Sequence, residues 1–103
     1  PIYGVKELPR FPAVSRDIAV VVAESARAGE MLERIRQAGG KTLESASLFD
    51  VYRDERLGAG KKSMAFAMTF RASDRTLTDE QIQNSMDKIL AALESDFDAE
   101  IRK

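Results

Sequence analysis

The chain has 103 residues, 44% of them apolar and 32% charged, which is enough for one soluble domain with a single core. It has no cysteine and no histidine, which excludes disulfides, thiolate or imidazole metal sites, cysteine nucleophiles and Ser-His triads, and leaves only carboxylate, Lys or Tyr chemistry. With a net charge of −1 it is not a free-standing, tight nucleic-acid binder, whereas a weak module tethered to a larger binder fits.

No apolar run approaches the roughly 18 residues of a membrane helix, and the start does not resemble a signal peptide. Position 1 is Pro rather than Met, so the chain is expected to be a processed piece or an excised domain. The first stretch, "PIYGVKELPRFPAVSR", holds three Pro and one Gly without a clear period. It reads as a segment lying across a surface, with residues 1–9 a leading segment or linker and 10–103 the domain. Phe11 and Pro12 are expected to pin it to the core.

"DIAVVVA", residues 17–23, is a continuous β-branched run of strand length. "AGEMLERIRQAGG" follows, with Met31, Leu32, Ile35 and Ala38 at helical spacing and Gly39-Gly40 as its stop. Strands are predicted at about 43–53 and 62–71. In the second of these, Met64, Phe66, Met68 and Phe70 alternate with Ser63, Ala65, Ala67 and Thr69, so one face is core and the other a floor of small side chains. In "LESASLFDVYR", Phe49 and Val51 are assigned to the core. That assignment puts Leu48, Asp50 and Tyr52 on the other face, turns Ser45 and Ser47 inward, and requires a bulge near residue 47.

The last helix is the best signalled. Thr78 and Gln81 form a capping box, Leu77 can staple onto Ile82, and Asp79 and Glu80 suit the positive end of the helix dipole. Ile82, Met86, Ile89, Leu90 and Leu93 line one face, and "FDAEIRK" is a short final strand or a frayed tail. The order β-α-β-β-α-β defines an α+β, ferredoxin-like split βαβ sandwich: a four-stranded antiparallel sheet with two helices on one face.

The other sheet face is then uncovered. Tyr52 stands on it, with Lys61, Lys62 and Ser63 at the end of the neighbouring strand and Arg16 proposed for the same rim. An aromatic among cations on an open sheet suits single-stranded nucleic acid. The same residues also fit a plain strand tyrosine and a solvated turn. Charge supports neither reading decisively: residues 10–75 carry a net +3 and residues 76–103 a net −4. The loop "RDERLGAG" mixes Asp54 and Glu55 with Arg53 and Arg56, which suggests a spacer. "GAGKKS" lacks the G-x-x-x-x-G-K spacing of a phosphate-binding P-loop.

The strings "RFPAVSRDIAVVV", "LFDVYR", "GKKSMAF" and "TFRASDRTLTDEQI", followed by the closing helix, resemble one family. They are similar, from about residue 9 to 101, to the ferredoxin-fold anticodon-binding domain at the C-terminus of bacterial phenylalanyl-tRNA synthetase beta subunits. The resemblance implies a cytoplasmic ligase of two alpha and two beta subunits that uses ATP and Mg to charge tRNA with phenylalanine. Its catalytic site is implied to lie in the alpha subunit, so this domain has no catalytic residue, metal or cofactor of its own. The implied partners are the tRNA(Phe) anticodon stem-loop, the alpha subunit and the rest of the beta subunit, with no membrane and no DNA. Tyr52 matches the family's base-stacking aromatic, and Ser63 falls where anticodon bases are contacted. Lys61, Lys62 and Arg16 are assigned to phosphates on charge and placement alone. Arg16 with Asp17 is also open to a surface-pair reading, and Arg75 is expected to brace the turn into the last helix.

The competing reading is a ferredoxin-like regulatory or oligomerisation domain whose open face pairs with another protein. An acylphosphatase-like enzyme needs a glycine-rich anion loop with an Arg, and an RNA-recognition motif needs paired aromatics on its central strands. Neither pattern is present. Fold alone licenses none of these functions.

Overall fold

The computed structural model describes residues 10–102. The reading of residues 1–9 as a leading segment, and Lys103, lie outside the described residues. The elements are β1 (Val14–Ala23), α1 (Ala28–Gly39), β2 (Leu43–Tyr52), a 3-10 turn (Glu55–Leu57), β3 (Lys61–Phe70), α2 (Asp79–Phe97) and β4 (Glu100–Ile101). All strand pairs are antiparallel, in the order β2-β3-β1-β4. This is the expected ferredoxin-like sandwich. The strand β2 is an edge, and β1 and β3 are the centre.

The core follows the predicted alternation on β3. Met64, Phe66, Met68 and Phe70 are buried with Val20 and Val22 of β1, against Met31 and Ile35 of α1 and Ile82, Met86, Ile89 and Leu93 of α2. Each buried side chain of this size contributes roughly 1.5–3 kcal/mol relative to exposure. The helix ends are as their sequences dictate. The Thr78 hydroxyl accepts from the Gln81 N–H at 3.1 Å while the Gln81 side chain accepts from the Thr78 N–H at 2.9 Å. Gly40 ends α1 at φ 76°, a left-handed value that favours glycine.

The expected register of β2 is correct only at its end. Asp50 pairs with Ala65 and Tyr52 with Ser63, so both stand on the open face. Before that, Ala46 and Leu48 lie opposite Met68 and Phe66 and pack on the core, while Ser45 and Ser47 lie opposite Thr69 and Ala67 and face outward. The register slips between Leu43 and Ser45 and again between Leu48 and Asp50. Phe49 is the extra residue of the second slip and is 57% exposed, and Val51, although opposite Met64 on the helix side, is 38% exposed, so neither is part of the core as expected. Phe11 and Pro12 are also exposed and do not pin the chain to the core.

Candidate functional site

Across one end of the open face, Tyr52 of β2 lies opposite Ser63 of β3, Ser63 opposite Val21 of β1, and Val21 opposite Glu100 of β4. Arg102 follows β4, with its N–H donating to the Ala19 carbonyl at 2.8 Å. Tyr52 and Arg102 therefore leave opposite edges of the sheet, three strand spacings of about 4.8 Å apart. They meet above the small side chains between them. The Arg102 guanidinium carbon is 4.7 Å from the Tyr52 ring centroid, a cation–π contact. Its Nη1 reaches Ser63 Oγ at 3.4 Å, and Ser63 is only 2% exposed.

The loop after β2 holds the other end of the ring. The Tyr52 hydroxyl donates to Asp54 Oδ2 at 2.9 Å. Arg56 grips the same carboxylate in a fork, Nε to Oδ1 at 3.0 Å and Nη2 to Oδ2 at 2.9 Å, and adds its backbone N–H to Oδ1 at 2.9 Å. These bonds, with Arg56 dominant and Tyr52 assisting, hold the Asp54 carboxyl well below the usual carboxylate range, and Arg56 is raised in return. Asp54 also caps the 3-10 turn. A pocket of about 250 Å³ results, lined by Tyr52, Asp54, Arg56, Leu57 and Arg102. The loop is thus a wall of the site rather than the spacer its mixed charge suggested.

Of the residues singled out in the sequence, Tyr52, Ser63 and Lys61 share this end of the open face. Lys62 does not. It shares a face with Met64 on the helix-covered side, where its Nζ donates to the Ala26 carbonyl at 2.8 Å and lies 3.8 Å from Glu24. Glu24 is itself gripped by both ends of the Arg53 guanidinium at 2.7 Å, which lowers its pKa, so Arg53 is neutralised by β1's end and not by the loop acids.

Arg16 does not join the rim either. It lies within β1 opposite Met68, on the helix side, 4.0 Å from Asp79 at the start of α2. It is five residues, about 17 Å, from Val21 along the strand. Its neighbour Asp17 points to the other face, so the two form no pair. Arg75 contacts its neighbour Asp74 at 2.7 Å and braces nothing further away among the described residues.

Arg102, Asp54, Arg56 and Leu57 were missed. The phase of β4 relative to β1 places Arg102, and that register is invisible in a two-residue strand. The signal that could have placed Asp54 is the preference of Asp for the position before a tight turn; nothing in the sequence points to its grip on Tyr52.

Among the described residues no group of three or more His, Cys, Asp or Glu could hold a metal ion, and no helix is long and apolar enough to cross a membrane. The groups on offer suit recognition: an oriented aromatic ring with two guanidinium groups beside it, and small side chains on the sheet floor.

The cluster on the uncovered face of this β-α-β-β-α-β sandwich has the makings of a small binding module, and the family match gives the class. The chain belongs to the ferredoxin-fold anticodon binding domain family, whose model matches residues 9–102. It is 47% identical over 96 residues to the phenylalanine–tRNA ligase beta subunit of Bacillus cereus, covering 93% of this chain and 12% of that protein. It is 44% identical over 95 residues to the beta subunit of Shouchella clausii, covering 92% and 12%, and 45% identical over 97 residues to that of Symbiobacterium thermophilum, covering 94% and 11%. The chain thus spans about an eighth of the length of these curated relatives.

Proposed function

We propose that this domain is the anticodon-receiving module of a phenylalanine–tRNA ligase beta subunit. Residues 10–103 form the binding domain and residues 1–9 lead into it. It contributes tRNA(Phe) binding to the ATP- and Mg-dependent charging of that tRNA by a cytoplasmic assembly of two alpha and two beta subunits. The domain itself performs no chemistry.

The observation that carries this reading is the Tyr52 ring on the open face of an anticodon-binding fold, held at its hydroxyl by Asp54 and flanked by Arg102 and Arg56. A ring fixed at one end keeps its orientation without ordering cost when a base stacks on it, and stacking is worth roughly 1–3 kcal/mol per base. Ser63, which lies under the Arg102 guanidinium, and Lys61, on the same end of the open face, are assigned polar and phosphate contacts in this reading. A regulatory or oligomerisation domain pairing through the same face fits less well. Tyr52 and Arg102 rise across one end of it and obstruct the flat approach that sheet-to-sheet contact needs.

The test is a cycle on the whole ligase, with charging efficiency measured for native tRNA(Phe) and for a tRNA with substituted anticodon bases, using wild type and Tyr52→Ala. If Tyr52 meets the anticodon, the two losses overlap and the doubly altered pair falls by less than their product. Independent losses that multiply in full remove Tyr52 from the anticodon site.

A further inference from the structure

Two facts about Arg102 do not sit together unless it moves. It covers the surface that recognition needs: its guanidinium is 4.7 Å from the Tyr52 ring centroid and 3.4 Å from the Ser63 hydroxyl. A base inserted between ring and guanidinium requires two stacking layers of about 3.4 Å each, well beyond 4.7 Å. Ser63, at 2% exposure, is out of reach of any ligand while the guanidinium lies there. Of the two cations lining the pocket, Arg102 is the one not hydrogen-bonded to a carboxylate among the described residues, although its charge helps to lower the pKa of Asp54. Arg56 is locked to Asp54 through three bonds, and the pair is close to neutral. Arg102 makes no ion pair among the described residues; its side-chain contacts are the Tyr52 ring and a long bond to Ser63. Its backbone is pinned to Ala19, so only the side chain is free to leave.

We infer that Arg102 is a displaceable cover on Tyr52 that, when a nucleotide stacks there, lifts off the ring and becomes the anchor for that nucleotide's phosphodiester. This rests on the anticodon reading above. The guanidinium exchanges a cation–π contact for a charge-assisted, fork-shaped contact to a phosphate, the geometry for which Arg is suited. The same movement exposes the ring and Ser63 together. RNA-free and RNA-bound states thus differ at one side chain, and the cover keeps the aromatic from presenting a bare apolar surface when no RNA is bound.

Deleting Arg102 frees the ring and removes the anchor, two effects of opposite sign on affinity, so the salt dependence of binding is the readout. tRNA(Phe) affinity is measured for the whole ligase between about 50 and 200 mM salt for wild type, Arg102→Ala, Arg102→Gln and Tyr52→Ala. Each phosphate contact to a single strand contributes about 0.7 to the slope of log affinity against log salt. Both Arg102 variants are expected to be shallower by about that amount, with Tyr52→Ala weaker but parallel to wild type. An unchanged slope in the Arg102 variants, with Tyr52→Ala still weakened, overturns the anchor and leaves the anticodon reading standing. Unchanged affinity in Tyr52→Ala overturns the anticodon reading itself.

Discussion

Lys62 Nζ donates to the Ala26 carbonyl at 2.8 Å, tying the start of β3 to the loop that leads into α1. That bond separates it from its neighbour. Lys62 is nearly buried on the helix side, whereas Lys61 lies opposite Ala23 on the open face and makes no ion pair among the described residues. Two adjacent lysines therefore do different work. Replacing Lys62 by Met is expected to destabilise the domain by about 1.5–3 kcal/mol, the range for losing a hydrogen bond to a charged group, and to leave the salt dependence of tRNA binding unchanged. Lys61→Met is expected to do the reverse, with stability within about 0.5 kcal/mol of wild type and a shallower salt slope. Thermal melts and binding titrations on the same two variants check both halves.

Acid sensitivity follows from the two gripped carboxylates. Arg53 lowers Glu24 from its ordinary value of 4.5, and Arg56 with Tyr52 lowers Asp54 from 3.8. Each folded-state pKa is depressed, so the unfolded chain binds more protons and stability rises with pH through this window. The contribution is complete above the ordinary values and is lost as pH falls below them toward the folded ones. Both pairs are solvent-exposed, so the effect is modest and weakened by salt. In melts of Glu24→Gln with Asp54→Asn, the gap in Tm from wild type is expected to be constant above about pH 6 and to close progressively below about pH 4. A gap that keeps its size down to about pH 2 contradicts the linkage.

Gly39 closes α1 where the chain turns back into β2. A Cβ there would lie 2.5 Å from Leu43 Cδ2 and 2.9 Å from Leu43 Cβ, so more than a flexible tip must move. Gly39→Ala is expected to cost about 1–3 kcal/mol through overpacking, although alanine is the better helix former. On a domain of this size each kcal/mol lowers Tm by about 4–8 °C. A variant as stable as wild type would show that Leu43 repacks freely.

The fold was legible because its strongest signals are periodic. Met64, Phe66, Met68 and Phe70 alternate without a break, and Thr78 with Gln81 marks the start of α2 by its capping chemistry. The errors come where a period slips or where register depends on a partner strand. On β2 the residues facing the core side are 43, 46, 48 and 51, and the two three-residue steps mark the register slips, the second at Phe49. Assuming one parity around Phe49 inverted Leu48, Ser45 and Ser47. Parity was available for two misplaced cations: Lys62 shares the phase of Met64, and Arg16 shares that of Ile18 and Val20. Both lie at or outside the predicted strand ends, since β1 starts at Val14 rather than Asp17 and β3 at Lys61 rather than Lys62. Arg102 was beyond reach, because two residues of β4 carry no period and only pairing with Val20 and Val21 aims its side chain across the sheet.

The central claim is that the Tyr52 ring is a stacking platform for the anticodon. Its most direct test is the efficiency with which the whole ligase carrying Tyr52→Ala charges tRNA(Phe), measured as kcat/KM for the tRNA beside wild type. Loss of one stacked base is expected to lower kcat/KM about 10-fold, equivalent to about 1.4 kcal/mol, with phenylalanine activation in the absence of tRNA unaffected. A value equal to wild type would contradict the claim.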